Sequence, residues 1–123
     1  MLNALVVDDE ESIRLLLADE LTNRGYRVRE AFNGVYAIQR VREEIPDIIF
    51  VDIIMPDMDG FEFISTLQEN PETSKIPLVV VSILNPQETR GKGKELGVKL
   101  HLTKPWESWA LDAVLNRIFS PGS

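Results

Sequence analysis

At 123 residues the chain fits one domain with room for a proper core. Its 44% hydrophobic and 27% charged residues exclude a disordered chain. With no cysteine, a disulfide framework and a thiolate metal site are excluded. A net charge of −7 argues against direct, non-specific nucleic-acid binding. No apolar stretch reaches the ~18 residues of a membrane span, and no basic-then-apolar segment opens the chain. A cytoplasmic protein without membrane attachment is expected.

Ala4 to Val7 is a short apolar run ending in Asp8-Asp9-Glu10-Glu11, which reads as a strand and an acidic turn. A helix is expected from Glu11 or Ser12, with Ile13, Leu16, Leu17 and Leu21 inward. Gly25 is its expected cap. Arg27 to Glu30 reads as the second strand. Asn33-Gly34 opens a helix with an apolar stripe of Ala37, Ile38 and Val41, closed off by Pro46.

The central stretch runs from Pro46 to Gly60. Ile48 to Val51 is continuously apolar, which suits a strand buried on both faces. Asp52 stands where that strand ends, and Met55-Pro56 and Asp59-Gly60 mark the turn beyond it. Alone, Asp52 is equally an ordinary strand-end residue starting a turn. Phe61, Ile64 and Leu67 mark a third helix, and Glu69 to Pro77 a polar loop. Leu78 to Val81 is again apolar and ends at Ser82. A fourth helix is expected over Pro86 to Leu96, weakened by Gly91 and Gly93 and capped by Gly97. Val98 to Leu102 reads as the fifth strand, followed by Thr103-Lys104-Pro105. The last helix is expected from about Trp106, with Trp109, Val114, Leu115 and Ile118 inward. Residues 1–119 form the expected domain, and 120–123 a tail or linker remnant.

Strands and helices thus alternate five times, the pattern of an α/β doubly wound parallel sheet with five helices. The flavodoxin-like strand order 2-1-3-4-5 is expected. In that order the polar strand ends share one edge: Asp8 and Asp9, Asp52, Ser82 and Lys104. Crowded carboxylates do not all ionise cheaply, so either some hold protons or a cation sits among them. Hard oxygen donors suit Mg²⁺, which prefers one or two protein carboxylates together with a phosphate. With the metal screening its charge, Asp52 can attack phosphorus, while Lys104 and the Ser82 hydroxyl bind the transferring oxygens. An acyl phosphate on Asp52 results.

Together, Val7-Asp8-Asp9-Glu10, Asp52-Ile53-Ile54-Met55-Pro56-Asp57-Met58-Asp59-Gly60, Ser82 and Thr103-Lys104-Pro105 make the chain resemble a response-regulator receiver domain of two-component signalling. The resemblance spans essentially residues 2 to 119. It implies that Asp52 is the phosphoacceptor, charged by a histidine kinase or histidine phosphotransfer protein. It implies that Asp9, Asp52 and the Ile54 backbone carbonyl ligate Mg²⁺ and that Asp8 acts through a metal-bound water. Ser82 and Lys104 would hold the phosphoryl group, and the Lys104–Pro105 bond would be cis. His101 stands where the family carries a switching Tyr or Phe. The changed face would be that of the fourth helix, fifth strand and last helix, acting on an output partner or domain. Ile83 departs from the small residue usual there, and being β-branched it narrows access to Asp52.

Three other readings compete. A flavin or nucleotide binder needs amides and hydroxyls after the first strand, where this chain has Asp8 to Glu11. An aspartyl-phosphate hydrolase needs a second acid two residues after its nucleophile, where this chain has Ile54. A receiver-like interaction module that is never phosphorylated finds its only support in Ile83. The reading is a signalling switch and not a turnover enzyme.

Overall fold

The central apolar runs become neighbouring strands covered on both faces. The computed structural model describes residues 1–55, 58–83, 98 and 100–119. In chain order these form β1 (Asn3–Val7), α1 (Glu11–Asn23), β2 (Arg27–Ala31), α2 (Gly34–Glu43), β3 (Ile48–Asp52), α3 (Gly60–Gln68), β4 (Leu78–Ser82), β5 (Leu100–Thr103) and α4 (Ser108–Phe119). The sheet is parallel throughout, in the order β2-β1-β3-β4-β5. Four helices lie among the described residues. The expected helix over Pro86 to Leu96, its glycines Gly91 and Gly93, its cap Gly97 and the tail 120–123 lie outside them.

Successive strand side chains point to opposite faces, so each apolar run feeds two cores. Leu5, Val7, Ile49, Val51 and Val80 meet Ala37 and Val41 of α2 and Phe63, Ile64 and Leu67 of α3. Ala4, Val6, Ile48, Phe50, Val79, Val81 and Leu102 meet Leu17 and Leu21 of α1 and Leu111, Val114 and Leu115 of α4. The central strands β1, β3 and β4 are apolar along their length, apart from one polar end residue each, because both of their faces are covered.

Helix ends follow from local chemistry. Asn33 caps α2 by accepting the Tyr36 amide at 2.7 Å, and Asp59 caps α3 by accepting the Glu62 amide at 2.9 Å. Helix α1 ends in a Schellman turn: the Tyr26 amide donates to the Leu21 carbonyl and the Gly25 amide to that of Thr22. That turn needs Gly25 at φ 92°, in the left-handed region.

Several inward assignments are corrected. Trp109 is 71% exposed rather than core. At about 100° per residue it lies on the side of α4 away from Leu111, Val114 and Leu115. Leu16 is exposed for the same reason, one residue off the Leu17–Leu21 stripe of α1. In α3, Phe63 is fully buried while Phe61 is only partly so. The fifth strand starts at Leu100 rather than Val98, and α4 at Ser108, two residues after Trp106. No helix among the described residues is long and apolar enough to cross a membrane.

Trp109→Ala is expected to shift folding free energy by less than about 0.5 kcal/mol, whereas Phe63→Ala costs about 3–5 kcal/mol. Urea unfolding of both variants checks the assignment; a Trp109→Ala loss comparable to that of Phe63→Ala would return Trp109 to the core.

Candidate functional site

The two sheet faces already sort the polar strand ends. Asp8 continues the row of Ala4 and Val6, Asp52 that of Ile48 and Phe50, and Lys104 follows Leu102, all on the face covered by α1 and α4. Pairing of Val7 with Val51 sets the ends of β1 and β3 side by side. Ser82 pairs with Thr103, and the Lys104 amide donates to the Ser82 carbonyl at 2.8 Å. The Lys104–Pro105 peptide bond is cis.

The Lys104 ammonium bridges two carboxylates, 2.8 Å from Asp8 Oδ2 and 3.0 Å from Asp52 Oδ2. All three side chains are nearly withdrawn from water, at 7%, 3% and 8% exposure for Lys104, Asp8 and Asp52. Each carboxylate also accepts an amide two residues on: Asp8 Oδ1 from Glu10 at 2.9 Å, Asp52 Oδ1 from Ile54 at 3.1 Å. These bonds fix both rotamers and leave the turn amides satisfied. Asp9 is exposed, and one oxygen from each of Asp8, Asp9 and Asp52 lies within 4.8 Å of the others.

Burial raises the Asp52 pKa above the usual carboxylate range, outweighing the Ile54 amide and the Lys104 ammonium. For Lys104, burial pulls the value down, but its bonds and charge attraction to Asp8 and Asp52 win and raise it. Lys104 therefore stays a cation. Three carboxylates still face one ammonium, so the mouth of the crevice keeps an excess of negative charge. Hard oxygens at this spacing fit a small divalent cation such as Mg²⁺. Asp9 is the exposed member of the set, open to such an ion, while Asp8 and Asp52 already share Lys104.

The remaining expected positions are placed as follows. Ser82 is fully buried at the end of β4. Ile83, next to it, is 69% exposed, so it fills no core space. Ile54 is also exposed. His101 is half-buried on β5, opposite Val80. Both its ring nitrogens are buried without a hydrogen-bond partner among the described residues, and burial lowers its pKa.

The sequence reading passed over two supports. Arg14 on α1 donates from Nη1 to the Asp8 carbonyl at 3.0 Å and pairs through Nε with Glu30 on β2 at 3.0 Å. No local signal marks it, because its partners come from other elements. Gly60 was read only as a turn residue. A Cβ there would lie 2.6 Å from both the Asp52 carbonyl oxygen and the Ile53 Cα, so only glycine lets α3 start so close to β3. The Asp59-x-x-Glu62 spacing was the available signal that a helix begins there.

Because the folded state favours protonated Asp52, its contribution to stability is full below the ordinary carboxylate pKa of about 3.9. It is lost as pH rises through the higher folded value. At neutral pH, without divalent ions, Asp52→Asn is therefore expected to be more stable than the wild type. That gap should open as pH climbs from about 4 and narrow when Mg²⁺ is added. Urea titrations across pH with chelator check it; a variant less stable at every pH contradicts the charge assignment.

With the geometry established, the comparisons with known proteins agree on one family. The model of the response regulator receiver domain matches residues 4–116. Protein PilH of Pseudomonas aeruginosa is 32% identical over 120 residues, covering 98% of this chain and 99% of PilH. The response regulator PleD of Caulobacter vibrioides is 41% identical over 101 residues, 82% of this chain but only 22% of PleD, so the chain spans about a fifth of that relative. The structure of the chemotaxis protein CheY4 of Vibrio cholerae superposes with a TM-score of 0.90 at 30% identity, covering 96% of this chain and 98% of that one. The chain belongs to the response regulator receiver domain family of two-component signalling.

Proposed function

We propose that this domain is a phosphoacceptor switch in which Asp52 takes a phosphoryl group from a histidine kinase or histidine phosphotransfer protein, with Mg²⁺ bound at Asp9, Asp52 and the Ile54 carbonyl and linked to Asp8 through water. The observation that carries this reading is the bridge from Asp8 through Lys104 to Asp52, with Asp9 alongside. A carboxylate oxygen of Asp52 forms the new P–O bond. The bond from phosphorus to the donor's leaving atom breaks, and its electron pair departs with the leaving group. When bound, a divalent ion would supply charge neutralisation for the phosphoryl oxygens. Lys104 exchanges its contact with Asp52 for one with a phosphoryl oxygen, and the Ser82 hydroxyl donates to another. The positive charge is already in place before the reaction, so little reorganisation is required.

The signal passes through Ser82 and His101 to the face built on β5 and the last helix, and thence to an output partner or domain. Of the two switch positions, His101 has a ring that would break no hydrogen bond to a described residue on moving. The domain transfers a group to itself and turns over no separate substrate. Ile54 stands where a hydrolase would have its second acid, and Ile54 and Ile83 are exposed apolar side chains beside the ends of β3 and β4. A cytoplasmic setting, alongside such kinases, goes with this reading. Intact mass after incubation with Mg²⁺ and a small acyl-phosphate donor is the test. One phosphoryl group is expected on the wild type, and none with chelator or in Asp52→Asn. An unmodified wild type would instead favour a receiver-like interaction module.

The exposure of Ile83 sharpens a second expectation. Ile83→Ala leaves no cavity, so its stability should stay within about 0.5 kcal/mol of wild type. Loss of the phosphoryl group and charging by bulky donors should both accelerate, up to about tenfold, which is about 1.4 kcal/mol of barrier. An unchanged phosphoryl lifetime at unchanged stability rules out Ile83 as a gate.

A further inference from the structure

We infer that Gly34 and Met58 form an interlock that positions the phosphoacceptor loop from the start of α2. The inference goes beyond the function proposed above and rests on it only for its metal readout. Gly34 is the first residue of α2, and Asn33 caps that helix. Met58 immediately precedes Asp59, the cap of α3, and is half-buried against the core shared by α2 and α3. A Cβ on Gly34 would lie 2.9 Å from both Cγ and Sδ of Met58 and 3.0 Å from its Cβ. These contacts reach the root of the methionine side chain, so its backbone would have to yield and not only its flexible tip.

On the far side of Asp59 the same closeness recurs. Gly60 presses on the Asp52 carbonyl oxygen and the Ile53 Cα, and its amide donates to the Ile53 carbonyl at 3.1 Å. Two glycine contacts in series thus run from α2, through Met58, Asp59 and Gly60, to the backbone of Asp52 and Ile53. Contiguous packing of this kind is the physical requirement for a displacement at one end to be felt at the other. Neither Gly34 nor Met58 touches the carboxylates, so both are positioning residues. Their substitution is expected to act through the seating of the loop that carries the Ile54 carbonyl.

The test uses Gly34→Ala, Met58→Ala and the double variant, with three readouts. Hydrogen exchange of the Gly60 amide, measured without metal, reports loop seating. Mg²⁺ affinity by calorimetry reports the site, and urea unfolding with exchange at Leu5 and Val51 reports global stability. Gly34→Ala is expected to speed Gly60 exchange at least tenfold beyond any change at Leu5 and Val51, and to weaken Mg²⁺ binding at least threefold. Adding Met58→Ala restores the missing space, so the double variant should return both values to within twofold of Met58→Ala alone. Gly60 exchange within twofold of wild type in Gly34→Ala, or no recovery in the double variant, overturns the interlock. Should Gly34→Ala fail to fold, Met58→Ala decides: Gly60 exchange must rise at least threefold, and an unchanged rate overturns the proposal. Mg²⁺ affinity left unchanged by Asp9→Ala would undo the proposed function, while Gly60 exchange would still decide the interlock.

Discussion

The ammonium of Lys104, held 2.8 Å from Asp8 and 3.0 Å from Asp52, is the contact on which this end of the molecule depends. Two desolvated carboxylates brought together without it would repel, and one would have to take up a proton. Removing Lys104 in particular would leave both buried carboxylates without a counter-charge, a loss that typically costs about 3–5 kcal/mol. The bridge also ties three strands at their carboxyl ends: β1 through Asp8, β3 through Asp52 and β5 through Lys104. Yet it does not balance the site. Asp9 adds a third carboxylate within 4.8 Å, and the surplus negative charge makes this strand edge receptive to a cation.

The rest of the fold holds that bridge in register. Alternation along β1 and β3 turns Asp8 and Asp52 toward the same face. Amides from Glu10 and Ile54 then fix the carboxylate rotamers. Arg14 grips the Asp8 carbonyl and Glu30 together, so the acidic turn after β1 is anchored to α1 and to β2. The Lys104 segment is anchored separately. Its amide bonds to Ser82, and two residues on the Trp106 indole donates to Glu20 of α1 at 2.9 Å. Arg24 extends the same tie, reaching Asp112 at 2.6 Å and the Ser108 hydroxyl at 2.9 Å. Functional side chains carried by loops are in this way located by rigid elements.

The apolar residues at the strand ends bear on the proposed chemistry differently. Ile54 and Ile83 are exposed, so neither contributes core packing. Neither can orient a water molecule. Among the described residues, the strand ends thus combine a preformed cation and an excess of carboxylate with apolar neighbours.

The strands, their order and the meeting of Asp8, Asp9, Asp52 and Lys104 were legible in the sequence. Apolar runs ending in polar residues are a local signal, and right-handed parallel crossovers then restrict the order in which such units assemble. The cap at Gly25 was legible for the same reason, since a Schellman turn is a matter of neighbouring residues. The tertiary structure alone decided which charges pair. Lys104 could have reached Asp8, Asp52 or solvent, and only interstrand distance chooses both carboxylates. It alone turned Trp109 and Leu16 outward, because which apolar residues of a helix are buried depends on the angle at which the helix meets the sheet. It alone set Gly34 against Met58 and Gly60 against Asp52, since a close approach is a relation between residues far apart in the chain, and a glycine carries no local mark of what will press upon it.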